Sequence, residues 1–373
     1  MPTTSPFEAP VARATETAPA PLTPPRDRVP RVLIIRRRYL GDIVLLGSVL
    51  RNIRLRWPRA WISVLTEAAY SGVLALNPDV DASLTFPHRK LQWLGFVRGL
   101  RRIGFTHVLD FDNTEKTALV TRLTGAAIRA TFNREMIPFR HGWMYTHTAN
   151  VTNAFYDSHH ITETYLALPA AAGIPLSSRE VRLVPRAEDA ARAQKLIAGD
   201  GNKVLVHPGT RSSCRVWPVE RFAEICDRLQ DKLGAQVFLT AGPGEHPLVE
   251  QIRSHTRTHV VALDAPRDVG GLAALLAQFD AFLCHDSGPM HVAAAVGTPV
   301  VALFGSQNAT IWRPLGAGNT VLQTPLPCAC IGSAAPTPCT PQDSYRSYCV
   351  RKIAADDVFA ALTRTLAMGR TGS

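Results

Sequence analysis

The 373-residue sequence lacks any run of about 18 uncharged apolar residues, which is the length that a membrane-spanning helix needs. It also lacks a basic start followed by an apolar core and a small-residue cleavage site. We therefore expect neither a transmembrane span nor a secretory signal, and we expect a cytoplasmic protein. Two nucleotide signatures are missing as well. The absence of G-x-x-x-x-G-K-[ST] excludes P-loop chemistry, and the absence of G-x-G-x-x-G between a strand and a helix disfavours a dinucleotide oxidoreductase.

Charged residues are few, at 19%, and hydrophobic residues make up 46%, which is the balance of a globular chain. Residues 1–30 are the exception because they are rich in Pro, Ala and Thr and show no helical or strand period. We interpret this segment as a disordered Pro/Ala-rich arm.

Acidic residues are too few to balance the basic ones, and the excess is uneven. The formal net charge is +11; residues 31–175 hold 18 Lys/Arg against 10 Asp/Glu, whereas residues 176–327 hold 15 against 14. Arginine is concentrated in one early region, at positions Arg36, Arg37, Arg38, Arg51, Arg54, Arg56 and Arg59. The asymmetry indicates an anionic partner such as nucleic acid, an acidic membrane surface or an acidic glycolipid, unless these are ordinary solvated side chains.

Seven cysteines in a chain with no export signal argue against a disulfide framework. Four of them fall in a Cys-rich loop, residues 328–349: Cys328, Cys330, Cys339 and Cys349. Four thiolates suit a structural zinc, but zinc sites usually pair cysteines two to four residues apart and only the first two are close. Buried thiols are the alternative, and no metal is assigned.

Apolar runs alternate with amphipathic stretches from Val32 onward, which is typical of an α/β protein. The pattern predicts an N-terminal Rossmann-like domain over 31–175, a linker between Pro175 and Pro185, and a C-terminal Rossmann-like domain over 176–350. A last helix and a tail occupy 351–373. We expect parallel sheets that face each other across a cleft, with ligands at the carboxyl ends of the strands.

Glycines and small polar residues follow four strands of the second half, where backbone must approach a ligand. The segments are His207 to Thr210, Ala241 to Glu245, Asp286 to Gly288, and Gly305 with Ser306. In the third segment a strand delivers a carboxylate, a hydroxyl and a glycine to the start of an Ala-rich helix, whose free N–H groups and positive dipole end favour a phosphate. Together the four predict a nucleotide or sugar-nucleotide pocket.

Asp42 is the acidic group that follows the first predicted strand, and it is set among arginines. A carboxylate held ionised there is suited to act as a general base. Asp is also a preferred helix N-cap, and Asp42 stands where the sequence predicts a cap. The two roles are compatible.

Several motifs occur in the order found in glycosyltransferase family 9, the bacterial ADP-heptose:lipopolysaccharide heptosyltransferases, which the chain resembles from about Arg31 to Leu366. They are Arg38 to Ile43, Asn77 to Asp79, His207 to Gly209, Trp217-Pro218 with Arg221-Phe222, Gly242 to Glu245, and Asp286 through Gly305. The resemblance implies a GT-B type α/β fold, with acceptor in the N-terminal and donor in the C-terminal domain. It also implies inverting transfer of a heptose or related sugar from an ADP-sugar, with Asp42 as the base.

By the same resemblance, the donor is bound by a set of C-terminal residues: Thr210, Arg211, Arg215, Glu245, Asp286, Ser287, Gly288 and His291. Arg215 stands where family members often carry a Lys that reaches the donor phosphates. Arg38, Asp110 and Asp112 are candidates for acceptor contact, although Asp-x-Asp before Asn is also ordinary turn chemistry.

The implied partners are a nucleotide-sugar donor and an anionic lipopolysaccharide-core or similar glycan, met peripherally at the inner face of the cytoplasmic membrane. No nucleic acid and no required cofactor are expected. Two alternatives stay open: a binding module that holds a nucleotide sugar or glycolipid without turnover, and a GT-B-like nucleotide-sugar epimerase.

Overall fold

The structure, a computed structural model, describes residues 29–197, 199–210, 216–242, 244–305, 307–325 and 349–369. The chain forms two compact units that divide between Val184 and Pro185. The arm predicted over 1–30 therefore lies outside the described residues except for its last two positions.

Residues 176–184, which the sequence analysis assigns to the second domain, belong to the first unit. The amide oxygen of Asn52 accepts hydrogen bonds from the backbone N–H groups of Ser177 (2.6 Å) and Ser178 (3.0 Å). The N–H of Val184 donates to the carbonyl of Leu76 (2.8 Å). These bonds tie the segment to the first unit, so the units divide at the end of the predicted linker, nine residues after the predicted start of the second domain.

The first unit is built on a six-stranded parallel sheet with strand order β3-β2-β1-β4-β5-β6. Its strands are β1 (Arg31–Ile35), β2 (Trp61–Thr66), β3 (Ala82–Thr85), β4 (His107–Asp110), β5 (Ile128–Arg134) and β6 (His147–Val151). Its helices are α1 (Leu40–Leu45), α2 (Gly47–Arg56), α3 (Gln92–Ile103), α4 (Glu115–Leu123), α5 (Asn153–Ser158) and α6 (Ile161–Ala171), with 3-10 segments at Ala68–Leu76 and Gly142–Met144.

The second unit repeats the plan with strand order β12-β11-β10-β7-β8-β9. Its strands are β7 (Lys203–His207), β8 (Gln236–Leu239), β9 (Val261–Ala262), β10 (Ala281–His285), β11 (Val300–Phe304) and β12 (Thr320–Gln323). Its helices are α7 (Ala187–Leu196), α8 (Val219–Leu233), α9 (His246–His255), α10 (Val269–Leu276), α11 (Gly288–Val296), α12 (Ala309–Trp312) and α13 (Ala355–Gly369), with a 3-10 turn at Val350–Lys352.

The predicted last helix is α13, and it packs on the second unit. Val358, Ala361, Leu362 and Leu366 enter the same apolar core as residues of β7, β8, β10 and β11. The C-terminal helix therefore belongs to the second unit and not to a separate segment.

Both units have the Rossmann strand order, in which the first strand lies at the centre and the later strands are added on either side of it. The order reverses between β1 and β4 in the first sheet and between β7 and β10 in the second. Ligands of such sheets bind at the carboxyl ends of the strands beside this reversal. The fold therefore predicts ligand sites in the loops that follow β1, β4, β7 and β10. No helix among the described residues is long and apolar enough to cross a membrane.

Candidate functional site

Asp42 lies in the first turn of α1, directly after the loop that leaves the carboxyl end of β1. The helix begins at Leu40, and the residue that caps it is Tyr39. Asp42 is therefore the third helical residue, and its Oδ2 accepts a hydrogen bond from the Tyr39 backbone N–H (3.1 Å). The prediction that Asp42 is the N-cap is wrong, although its carboxylate does satisfy an N–H group at the helix start, as the acidic residue of a capping box does.

The two oxygens of the Asp42 carboxylate have different surroundings. Oδ1 accepts the phenol O–H of Tyr165 (2.6 Å) and a guanidinium N–H of Arg36. Oδ2 accepts the single backbone N–H of Tyr39 within the described part of the chain. A carboxylate oxygen can accept two hydrogen bonds, so Oδ2 keeps capacity for a further donor. The residue is 8% exposed.

Arg36 connects Asp42 to the neighbouring strand end. Its guanidinium also donates to the Phe111 carbonyl (3.1 Å) and to Oδ1 of Asp112 (3.3 Å), both after β4. Burial lowers the pKa of Arg36, but Tyr165, Asp42 and Asp112 together raise it above its ordinary value. The guanidinium is therefore a fixed positive charge that holds the two carboxylates of the reversal point beside each other.

Asp110 holds the turn after β4 and is out of reach of a molecule in solvent. It is 0% exposed, and its carboxylate accepts bonds from the N–H groups of Asp112 (3.0 Å) and Asn113 (3.2 Å) and from the Tyr145 phenol (2.6 Å). Burial raises the pKa of Asp110 to about 6, against the effect of the Tyr145 hydrogen bond. The structure thus gives this acceptor candidate a role in the turn.

Asp112 lies nearer the surface than Asp110 and remains an acceptor candidate. Its Oδ2 accepts the backbone N–H of Arg37 (2.7 Å), and burial raises its pKa despite the charge of Arg36. Arg38, the third candidate, is exposed, with its guanidinium carbon 5.4 Å from the centroid of the Tyr39 ring.

The arginines that are close in the early sequence do not form one positively charged surface at the candidate site. Four of them form ion pairs inside the first unit: Arg36 with Asp42 and Asp112, Arg37 with Glu67, Arg51 with Asp79 and Glu180, and Arg54 with Asp81. Arg56 and Arg59 are exposed, but they lie between the end of α2 and the start of β2, at the opposite edge of the sheet from Asp42. The charge at the site therefore rests on fewer arginines than the sequence predicts.

In the second unit, β10 leads into α11 through Asp286 and Ser287. The backbone at Ser287 is extended, and its hydroxyl does not cap the helix. That Oγ is buried and has no hydrogen-bond partner among the described residues. Pro289 lacks an N–H, and the N–H of Met290 bonds to the Ser287 carbonyl (3.1 Å), so the first turn presents the N–H of Gly288. The N–H of Gly288 and the positive end of the helix thus lie at the place predicted for a phosphate, next to the enclosed Ser287 hydroxyl.

His291 lies one turn into α11 and is buried, at 6% exposed. Asp286 is half-buried, and its N–H bonds to the Leu303 carbonyl (3.1 Å) on the neighbouring strand β11. These two candidates are held in the start of the helix, beside Ser287 and Gly288.

Glu245 is fixed at the carboxyl end of β8 and reaches the turn after β7. Its Oε2 accepts the N–H of Gly242 (2.7 Å) and lies 3.6 Å from Nε2 of His207. A Cβ atom at Gly209 would overlap the Glu245 carboxylate. A larger residue at the glycine of the His-Pro-Gly turn would therefore displace the Glu245 carboxylate from this position. Thr210 follows the glycine and is half-buried.

Two buried histidines stand at the ends of the adjacent strands β7 and β10. Nε2 of His285 accepts the backbone N–H of Trp217 (2.9 Å), which requires a neutral ring. Burial, with a smaller contribution from His207, lowers the pKa of His285 to about 3. Burial also lowers the pKa of His207, against the influence of Glu245. Both rings are neutral at pH 7 and add no positive charge for a diphosphate.

The remaining predicted residues fall outside the described ranges. They are Arg211, Arg215, Cys328, Cys330 and Cys339, along with Ser306. Cys349 is described and buried in the second unit. Within the described ranges, no group of three or more His, Cys, Asp or Glu side chains is arranged to hold a metal ion. For the undescribed loop the two alternatives of the sequence, a zinc site or buried thiols, both stay, and no metal is assigned.

Sequence reasoning missed four residues of these sites: Arg36, Tyr165, His207 and His285. Tyr165 lies 123 residues from Asp42, and nothing in its local sequence indicates the contact. Arg36 was visible as part of an arginine run, and His207 as part of a glycine turn, but neither pattern predicts which group the side chain meets.

Comparison with known proteins identifies the family of the chain. The family model for glycosyltransferase family 9 (heptosyltransferase) matches residues 93–334. Lipopolysaccharide heptosyltransferase 3 of Escherichia coli is 25% identical over 352 residues, which cover 90% of this chain and 99% of that protein.

Two solved structures show the same fold. A glycosyltransferase family 9 protein from Veillonella parvula superposes with a TM-score of 0.77 at 21% identity, over 91% of this chain and 98% of that chain. E. coli ADP-heptose lipopolysaccharide heptosyltransferase II gives a TM-score of 0.71 at 22% identity, over 91% and 99%. Two Rossmann-like parallel units are thus the GT-B type of fold that these structures share. The chain belongs to glycosyltransferase family 9, the heptosyltransferase family, and is a glycosyltransferase.

Proposed function

We propose that this enzyme transfers a heptose from ADP-heptose to an anionic lipopolysaccharide-core acceptor with inversion at the anomeric carbon. The observation that carries the proposal is the Asp42 carboxylate, which is held at the reversal point of the first sheet with Oδ2 open to one more donor. Relatives named for lipopolysaccharide heptose transfer support the substrate class, and the name of the E. coli structure supports ADP-heptose as donor.

Asp42 acts in this proposal as the general base. The acceptor hydroxyl oxygen attacks the anomeric carbon of the heptose, and its proton passes to Oδ2 of Asp42. The bond from that carbon to the diphosphate oxygen breaks, and the electron pair leaves with ADP. Because Tyr165 and Arg36 occupy Oδ1, they fix the plane of the carboxylate and direct Oδ2 toward the hydroxyl. A positioned base of this kind contributes a factor of about 10² to 10⁴ to the rate.

The second unit binds the donor in this proposal. Negative charge grows on the departing diphosphate, and the N–H of Gly288, the hydroxyl of Ser287 and the positive end of α11 stabilise it. Glu245 binds the ribose hydroxyls, and Arg215 and Arg211 supply the positive charge that the neutral histidines do not. Asp286, His291 and Thr210 complete the donor contacts.

The acceptor contacts come from Arg38 and Asp112 in the first unit. We infer that the enzyme works on the cytoplasmic side of the inner membrane and meets it peripherally, since its acceptor is a glycolipid. The reaction as proposed needs no cofactor.

The test is transfer by the purified full-length chain and by Asp42→Asn, with ADP-heptose and a lipopolysaccharide-core acceptor. We expect Asp42→Asn to bind the donor normally in calorimetry and to lose about 10²- to 10⁴-fold in turnover. The anomeric configuration of the product, read by NMR, checks inversion. Transfer near the wild-type rate would contradict the assignment of Asp42.

The same samples distinguish the alternatives. Tight donor binding by the wild type without product, across several acceptors, would support a non-catalytic binding module. Conversion of the donor when no acceptor is present would support an epimerase.

A further inference from the structure

A group of exposed apolar side chains follows the carboxyl end of β5 in the first unit. Met136 is 67% exposed, Ile137 54%, Phe139 38% and Trp143 74%, all within eight residues. We name residues 136–143 the apolar tip. Single exposed hydrophobic residues are ordinary on a protein surface, but a cluster of large ones marks a contact surface.

The residues that follow the apolar tip are fixed by hydrogen bonds to β5 and by packing against α4. Arg129 donates from Nε to the Met144 carbonyl (2.8 Å), and the N–H of Thr146 donates to the Arg129 carbonyl (2.8 Å). Met144 and Tyr145 pack in one buried cluster with a residue of α4, Ala118. Residues 144–146, which we call the platform of the apolar tip, are therefore fixed in position and hold the exposed apolar side chains in place.

A second apolar pair lies at the same edge of the sheet. Leu91, which caps α3, is 95% exposed, and Leu94 is 62% exposed. They follow β3, and because β3 and β5 belong to one parallel sheet, the segments after both strands emerge at one edge. This is also the edge at which Asp42 follows β1.

Helix α4 stands between the two apolar segments. At its start, the Lys116 ammonium lies 4.8 Å from the centroid of the Phe86 ring and 4.9 Å from that of Trp93, beside α3. One turn on, Ala118 contacts the platform of the apolar tip, and the next residue, Leu119, is 48% exposed. The exposed apolar groups thus lie on neighbouring elements of one surface.

Basic residues outnumber acidic ones on this surface. Residues 86–96 and 136–147 contain Arg89, Lys90 and Arg140 and no Asp or Glu, and Arg134 and Glu135 precede the apolar tip. Apolar and aromatic side chains among Lys and Arg are the composition that enters the headgroup region of an anionic bilayer. Each basic residue near such a surface strengthens binding by roughly fivefold.

We propose that the apolar tip, with Leu91 and Leu94, docks the first unit on an anionic phospholipid bilayer. The proposal rests on the proposed function in one respect, namely that the acceptor is a glycolipid embedded in such a bilayer. Trp143 and Ile137 enter the headgroup region, and the basic residues bind lipid phosphates around them. The loop that carries Asp42 then lies at the membrane side of the sheet, where an acceptor sugar projects.

The test uses sedimentation of the full-length chain with two kinds of vesicle, phosphatidylcholine alone and phosphatidylcholine with about 30% phosphatidylglycerol, a mixture that supplies the negative surface. The variant is the double substitution Ile137→Glu and Trp143→Glu. Its matched control is Leu196→Glu, because Leu196 is 60% exposed and lies on α7 in the second unit. Thermal unfolding of all three proteins shows that the fold is kept.

We expect the wild type and Leu196→Glu to bind the anionic vesicles in a salt-dependent manner and to bind neutral vesicles at least tenfold more weakly. The double variant should lose tenfold or more of the binding to anionic vesicles while its transfer to a deacylated, soluble core acceptor is unchanged. Should this variant misfold, brominated lipids offer a second measurement, because they should quench tryptophan fluorescence in the wild type and much less in Trp143→Phe.

Three results would overturn the proposal: equal vesicle binding by the wild type and the double variant, equal quenching in the wild type and Trp143→Phe, or a wild-type dimer that the double variant abolishes. The last would assign the surface to a second copy of the chain. Failure of the proposed function gives a different result, since loss of transfer on the soluble acceptor leaves vesicle binding measurable.

Discussion

Replacing Tyr165 by Phe removes one oxygen atom from a fully buried side chain, and we expect it to impair the proposed base without emptying the site. The phenol donates to Oδ1 of Asp42 at 2.6 Å, and Tyr165 is 0% exposed. A hydrogen bond to a charged group contributes about 1.5–3 kcal/mol. The ionised carboxylate loses this stabilisation in the variant, whereas its ion pair with Arg36 remains.

The expected result is slower transfer. About 1.4 kcal/mol corresponds to a factor of ten in rate, so loss of the whole hydrogen bond should lower turnover by about 10- to 100-fold. The loss should be smaller than that in Asp42→Asn, because the Asp42 carboxylate and its ion pair with Arg36 remain. The assay is the initial rate of ADP release at neutral pH, with saturating donor and acceptor.

Tyr145→Phe is the matched control, because the same unit contains a second phenol–carboxylate pair. Tyr145 donates to Oδ2 of Asp110, also at 2.6 Å, and is 8% exposed. Both substitutions remove a buried bond of one kind and should lower the melting temperature alike. Turnover that stays at the wild-type level in Tyr165→Phe, or that falls equally in Tyr145→Phe, would refute the reasoning.

Three further predictions concern single residues. Gly209→Ala places a Cβ atom into the Glu245 carboxylate, so donor affinity measured by calorimetry should fall by about tenfold or more, and normal affinity would contradict the role of Glu245. The folded-state pKa of Asp110 is raised from 3.8 to about 6, so the free energy of unfolding of the wild type falls as pH rises from about 4 to 6. In urea unfolding, Asp110→Asn should show a fall that is smaller by up to about 3 kcal/mol. An equal fall in both proteins would contradict this role of Asp110. The folded-state pKa of His285 is instead lowered from 6.5 to about 3, so the free energy of unfolding falls as pH drops below 6.5. His285→Gln can still accept the Trp217 N–H, and it should reduce this loss between pH 6.5 and 4 by up to about 3 kcal/mol. An unchanged loss would show that the fold does not hold the ring neutral.

The strands that the sequence predicts are the interior strands of each sheet and one edge strand, β9, which lies within the predicted run Val260 to Leu263. Val32 to Ile35 and Val300 to Phe304 are fully buried and read as continuous apolar runs, as parallel strands covered on both faces do. The other edge strands, β3, β6 and β12, escape prediction because they are short and partly exposed, and their sequences carry no apolar run. These three are defined by pairing with a neighbour, which a local pattern does not encode.

In the candidate site, too, some features are predictable from local sequence and others are not. The position of Asp42 after a buried strand and that of Ser287 before an Ala-rich helix follow from local sequence, and the structure places both at carboxyl strand ends. The partners of these residues come from elsewhere in the chain, as the Tyr165 phenol shows. Burial also reverses one expectation, since Asp110 stands beside the site in sequence and is enclosed by its own turn.

The contact between Tyr165 and Asp42 has a consequence for the order in which the chain is made. Asp42 emerges from the ribosome early, but its phenol partner follows 123 residues later, in the last helix of the first unit. Until α6 has packed, the carboxylate lacks one of the two groups that fix Oδ1. A nascent chain that ends before this helix therefore carries the proposed base without its final orientation, and the Asp42 carboxylate is fully positioned only when synthesis of the first unit is nearly complete.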